Sequence, residues 1–220
     1  MSPATPGESR SGRRLPRLHA VTNDDVLHRS GWVEQAVAAL EAGGPGIALH
    51  VRGGGTGARA LLGLADRLLP HARRTGAALF VNDRVDVALT LPLDGVHLGR
   101  GSLAPGAVRE VVGPRPWIGV SCHGPGEAAA AAADGADYAF VGSIFATASH
   151  PGLDGMGAAG LAEAVEAARS LPVVGIGGIG PDAARTLVDA GAYGVAAIRG
   201  VWNGADPASA VRQYLEGLGS

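Results

Sequence analysis

From residue 18 onward two hydrophobic patterns alternate along the chain. Short apolar runs stand at 18–21, 46–51, 78–81, 95–98, 117–120, 138–141, 173–176 and 194–198. Runs of that length, uniformly apolar rather than alternating, are what strands buried on both faces look like. Between them, Val33/Ala36/Val37/Leu40, Leu61/Leu64/Ala65/Leu68 and Leu161/Ala164/Val165/Ala168 recur at i, i+3, i+4, i+7, the stripe of a helix packed on one face. The segments 85–89 and 105–111 are shorter pieces of the same kind. Eight strand–helix units predict an α/β protein, a single (β/α)8 TIM barrel over residues 17–220. An open doubly wound sheet is the competing arrangement. It usually carries its glycine-rich loop after the first strand, and here that place is taken by Thr22-Asn23-Asp24-Asp25. Residues 1–16, MSPATPGESRSGRRLP, have neither period and are expected to be a disordered tail, with an Arg- and Ser-rich transit peptide as the alternative.

The pattern is punctuated most sharply at 172–182, PVVGIGGIGPD. An apolar strand runs into glycines and then into a helix start at Pro181-Asp182. Glycines let the backbone approach a ligand, and the free N–H groups of a helix start favour an anion. A tight turn with no ligand has the same sequence. Barrel position decides for phosphate, because barrel phosphate sites form in the loops after strands seven and eight. The eighth run adds Arg199 and Gly200 beside Gly177 and Gly178.

Composition narrows the field. The chain of 220 residues is 46% apolar, ample for a core, and its net charge of −2 carries no nucleic-acid or membrane footprint. No run of 18 apolar residues exists, so a cytoplasmic protein is expected. Cys122 is the single cysteine, which excludes an internal disulfide framework. All 18 basic side chains are arginine, which excludes Schiff-base chemistry and lysine general bases. A homo-oligomer stays open.

Barrel chemistry sits where strands end. Strand two ends in His50-Val51-Arg52, with Arg52 an anion clamp or a surface charge. Strand three ends in Asn82-Asp83, with Asp83 a carboxylate able to hold Mg²⁺, or a partner of Arg84, or a helix cap. His97 and Arg100 close strand four. After strand five, alternation puts Ser121 and His123 on one side and Cys122 on the other. His123 is then either a proton carrier suited to neutral pH or a loop cap. His50 and His97 lack metal-site spacing, so packing or hydrogen bonding is expected of them. The loop after strand six, with Thr147 and a Pro151-Gly152 turn, is a lid or a plain surface loop.

In this order the segments VNDRVDVALTLPLDGVHLGR, IGVSCHGPGEAAAAAADGADYAFVGSIFAT, PVVGIGGIGPD and GAYGVAAIRG resemble the thiamin phosphate synthase / thiazole tautomerase family, over about Leu18 to Leu215. The resemblance implies one of two activities. The synthase couples a pyrimidine methyl pyrophosphate to a thiazole phosphate and uses Mg²⁺. The tautomerase shifts one proton on a phosphorylated carboxythiazole and needs no metal. Against the synthase pattern Gln-x-Arg-x-Lys the chain reads His50-Val51-Arg52-Gly53-Gly54. Ser102 stands where an acid belongs, and His150 where the strand-six loop has lysine. On those losses the tautomerase branch is the nearer resemblance. His123 would be its catalytic base and acid, and Arg52, Asn82, Ser121, Thr147, Gly177, Gly178, Arg199 and Gly200 would bind a small phosphorylated thiazole. No cofactor is then expected. A divergent synthase, with Asp83 holding Mg²⁺, and a non-catalytic thiazole-phosphate binder are the alternatives.

Overall fold

The computed structural model describes residues 13–146 and 155–219. Eight parallel strands close in sequence order into one barrel. They are β1 (Leu18–Val21), β2 (Ile47–Val51), β3 (Ala78–Asn82), β4 (Gly95–Leu98), β5 (Trp117–Cys122), β6 (Tyr138–Val141), β7 (Val173–Ile176) and β8 (Gly194–Ala197). The helices surround them. A short α1 (Asp24–Leu27) and α2 (Trp32–Gly43) follow β1, α3 (Ala58–Thr75) follows β2, and α4 (Val85–Thr90) follows β3. Next come α5 (Pro105–Val112), α6 (Pro125–Ala133), α7 (Gly157–Ala168) and α8 (Pro181–Asp189) after β4 to β7. One turn of helix, α9 (Arg199–Trp202), and then α10 (Pro207–Leu218) follow β8. The open-sheet alternative is therefore excluded by the β1–β8 pairing that closes the ring.

Two apolar layers hold the barrel together. Outward residues such as Leu49, Val81, Ile118 and Val195 join the helix stripes in one cluster. Inward residues, including Phe80, Trp117, Tyr138 and Phe140, fill the lumen in a second. The lumen is aromatic, and glycine on the neighbouring strand makes the room. A Cβ on Gly119 would lie 2.0 Å from the Tyr138 ring. The bottom of the lumen is plugged by residues before β1. Leu15 is buried among the inward set, its carbonyl accepts the Tyr193 hydroxyl, and the Arg17 carbonyl pairs with Val195 N–H. Leu15 and Pro16, expected in the tail, are thus buried in the barrel, while Arg13 and Arg14 before them are exposed. Residues 1–12 lie outside the described residues.

Three histidines share this interior. His19, His50 and His97 are at most 1% exposed, among aromatic rings on β3 and β6. Their inward direction is strand parity: 48, 50 and 52 alternate with the outward Leu49 and Val51 on β2.

Candidate active site

Above the aromatic lumen, at the C-terminal end of the strands, a cavity of about 940 Å³ opens. Arg52, Asn82, Ser121, His123, Gly177, Gly178, Arg199 and Gly200 all line it, as do His97 and Arg100. Thr147 and the Pro151-Gly152 turn of the expected lid lie outside the described residues. Asp83 and His50 are not among its lining residues: Asp83 follows the lining Asn82, and His50 is fully buried beneath.

The floor is built by the interior histidines. With Asn82 Oδ1 as acceptor, His50 Nδ1–H donates to it at 3.0 Å, which leaves His50 Nε2 to accept the Nδ1–H of His19 at 2.8 Å. His19 Nε2 then ends the relay with no hydrogen-bond partner among the described residues. Asn82 is left with its amide N–H groups for the cavity. His97 spans the Tyr138 hydroxyl (3.1 Å) and the Ser121 hydroxyl (2.9 Å), and so orients Ser121 at the surface of the cavity. Burial keeps all three imidazoles neutral. It lowers His50 to about 4, and lowers His19 and His97 well below the usual range, with help from His50 and His97 for His19 and from His50 and Arg52 for His97.

Arg52 is set by its neighbour strand. The Thr22 hydroxyl accepts the Arg52 N–H at 2.8 Å and lies 2.9 Å from the Arg52 carbonyl. The glycine loop beyond is tied by Asp24, which takes the Thr56 hydroxyl at 2.6 Å and the Gly55 N–H at 3.0 Å. Those two bonds hold the Asp24 carboxyl below its ordinary range. The Arg52 and Arg199 guanidinium groups have no hydrogen-bond or ion-pair partner among the described residues.

The β7 and β8 loops make an amide-rich wall. Gly177 and Gly178 have φ of 104° and 69°, a left-handed conformation that glycine adopts without strain. Among the described residues the N–H groups of Gly178, Gly180, Arg199 and Gly200 have no partner. Two of these glycines also have packing reasons. A Cβ on Gly178 would meet the Ala146 carbonyl and Phe145 Cβ at 2.9 Å, and one on Gly200 would lie 1.9 Å from the Tyr214 hydroxyl.

Across the mouth, Asp83 does not pair with Arg84, which binds Asp86 instead. Asp83 Oδ1 takes the Gly99 N–H at 2.7 Å and the Ser102 hydroxyl. Its Oδ2 has no partner among the described residues. No cluster of three acidic, histidine or cysteine ligands exists among them. One carboxylate with a free oxygen and a hydroxyl beside it still fits Mg²⁺, which commonly takes one or two carboxylates and completes its shell with water and substrate phosphates.

His123 lies on β5's inward parity, as expected, and is 45% exposed. Its Nδ1 is 3.2 Å from Glu127 Oε2, and the same oxygen accepts its backbone N–H at 2.9 Å. Chiefly through that N–H, His123 holds the Glu127 carboxyl below its ordinary range. Cys122 points outward into the core, and burial pushes its thiol up to about 11, so it is no nucleophile.

Four features of the site escape sequence reasoning. His19 stands in plain view as a polar residue inside an apolar run. Arg100 follows a strand end, which by itself assigns it no role. Glu127, four residues beyond His123, and Asn203, after α9, carry no strand-end signal.

The description "Thiamine monophosphate synthase" belongs to the family model that matches residues 18–201. The chain belongs to this family. The thiamine-phosphate synthase of Roseiflexus castenholzii is 41% identical over 94% of this chain and 89% of its own length. That of Moorella thermoacetica is 43% identical over 83% and 86%. Among solved structures, the thiamine phosphate pyrophosphorylase of Pyrococcus furiosus superposes with a TM-score of 0.78 at 33% identity, covering 91% of this chain and 94% of that one. A 3-hexulose-6-phosphate synthase, at 17% identity and TM-score 0.63, shares the barrel alone.

These relatives correct the tautomerase expectation and the isomerase class that went with it. Each is named as a synthase or pyrophosphorylase, and this chain, with its losses at His50, Gly54 and Ser102, is still 41%, 43% and 33% identical to them. The physical reason the expectation fails is that it counts missing charges without placing the arginines that remain.

Proposed function

We propose that the chain is a transferase of thiamine biosynthesis, a thiamine-phosphate synthase. One observation carries the reading beyond the names of the relatives: the cavity has two poles for anions, the amides with Arg199 after β7 and β8 and the Arg52 guanidinium after β2. In an eight-stranded barrel β3 and β4 stand opposite β7 and β8. The amide wall with Arg199 therefore stands across the ring from the β3 and β4 ends, which carry Asp83 and Ser102 just behind the lining residues, with Arg52 on the neighbouring β2. A single phosphorylated thiazole needs one pole. Two substrates, one carrying phosphate and one pyrophosphate, need both, and about 940 Å³ is room for two small molecules.

In this reading the thiazole phosphate lies against Gly177, Gly178, Arg199 and Gly200. The pyrimidine rests over the floor, where Asn82 and Ser121 present the donors that His50 and His97 orient. Its pyrophosphate points to Arg52 and Asp83. Mg²⁺, when bound through Asp83 and the Ser102 hydroxyl, supplies counter-charge to the pyrophosphate.

Coupling then needs alignment more than proton transfer. The thiazole nitrogen lone pair forms a bond to the pyrimidine methylene carbon while the carbon–oxygen bond to pyrophosphate breaks and its electron pair leaves with that oxygen. The two poles fix the two anionic ends, so nitrogen and methylene meet between them. Arg52 stabilises the charge growing on the leaving oxygen. The test is incubation of the purified protein with both substrates and Mg²⁺, following pyrophosphate release and thiamine phosphate together. Stoichiometric appearance of the two is expected, and its loss on chelation. No pyrophosphate release with both substrates present would overturn the assignment.

A further inference from the structure

In the synthase reading the leaving group is the most highly charged part of either substrate, yet the chain has no lysine to meet it. Three arginines line the cavity, at 52, 100 and 199. Arg199 belongs to the β7–β8 pole, and Arg52 alone answers the pyrophosphate from β2. Arg100 follows Gly99, whose N–H holds Asp83, so its backbone is fixed beside the carboxylate of the opposite pole.

We propose that Arg100 is a second pyrophosphate-binding residue, which swings from Glu127 onto the pyrophosphate when that substrate binds. This rests on the synthase reading. Arg100 Nη2 is 3.1 Å from Glu127 Oε1, and the side chain is 73% exposed. An exposed pair of this kind contributes little and is readily exchanged. Glu127 is not stranded by the exchange, because its Oε2 keeps both contacts to His123. The neighbouring Ser102 contributes a neutral hydroxyl, so, apart from the Glu127 that Arg100 itself holds, Asp83 is the only acid joined to this stretch of the β4 loop by a hydrogen bond among the described residues. A guanidinium released there gains two parallel bonds to phosphate oxygens, a geometry an ammonium group does not offer.

The test is calorimetric titration of wild type, Arg100→Gln and Arg100→Lys with inorganic pyrophosphate and Mg²⁺, and separately with the thiazole phosphate. Loss of one charge-assisted pair corresponds to roughly ten- to a hundred-fold weaker pyrophosphate binding in Arg100→Gln. Partial recovery is expected in Arg100→Lys, with thiazole-phosphate affinity unchanged in both. KM for the pyrophosphate-bearing substrate should rise with the pyrophosphate Kd. Pyrophosphate binding equal to wild type in Arg100→Gln overturns the inference, and so does an equal loss for both ligands, which would mark a diffuse field. So does a wild type that binds no pyrophosphate. The binding readings need no turnover. A synthase that turns over while Arg100→Gln binds normally sinks the inference alone, whereas absent turnover sinks the synthase assignment.

Discussion

Single residues at the strand ends are well placed by sequence pattern, and their chemistry is not. Strand parity sends Ser121 and His123 toward one cavity and Cys122 into the core, as alternation requires. The same parity buries His50, because β2 continues to Val51 and only Arg52 clears the lumen. What no linear pattern can show is who faces whom across the barrel, and charge balance is decided there. His123 illustrates this. Its geometry suits a proton carrier, but the coupling reaction asks for no proton at its position. His123→Gln is therefore expected to keep kcat within about tenfold of wild type, where a general acid–base residue would lose roughly 10²–10⁴. Asp83→Asn should behave oppositely. It removes the carboxylate charge of Asp83, whose Oδ2 has no partner among the described residues, and a drop in kcat/KM of roughly 10²–10³ is expected, the scale for one electrostatic stabiliser. Steady-state assays of both variants at saturating Mg²⁺ check the pair. A crippled His123→Gln beside an active Asp83→Asn would exchange the roles of these two residues.

At the scale of elements, all eight strands are legible to within two residues, because fully buried parallel strands announce themselves as short apolar runs. Even the short α4 and α5 form where weak periodicity places them. The packing between strands is not legible. Gly119 looks like any strand glycine in sequence, yet it leaves the space that Tyr138 on β6 occupies. Gly119→Ala would force the ring or the strand to move, and overpacking of this kind costs about 1–3 kcal/mol. The expected readout is a lower urea midpoint with an unchanged slope. A midpoint equal to wild type would mean the Tyr138 ring relaxes freely. Gly178 shows the same limit in a loop. In sequence it reads as a ligand-facing glycine, and it is also where the β7 loop packs on Phe145 and Ala146. A bulky residue there therefore disturbs both loops, and a rise in KM would not by itself report lost phosphate contacts.

For the whole molecule, the barrel interior makes stability depend on pH in a predictable direction. His19, His50 and His97 are buried and held neutral, His50 down to about 4. In the unfolded chain each titrates near 6.5. Below that pH the unfolded state therefore binds protons that the native state refuses, and stability falls as pH falls, by up to about 1.4 kcal/mol per pH unit for each histidine. Stability is at its full value above about 6.5, and the decline runs down toward the folded-state values. Carboxylates titrate near 4 in their unperturbed state, so the window between about 5 and 6.5 isolates the histidines. Urea midpoints measured across that window should drop steeply, and His50→Phe should flatten the slope by close to one proton. Phenylalanine preserves a ring against Phe80 while removing the titrating group, at the cost of the His19 and Asn82 bonds. Its absolute stability is therefore expected to be lower at neutral pH even as its acid sensitivity shrinks. A wild-type midpoint that stays level through the window would show that the interior histidines accept protons in the native state, which would require water to reach the relay from the cavity floor.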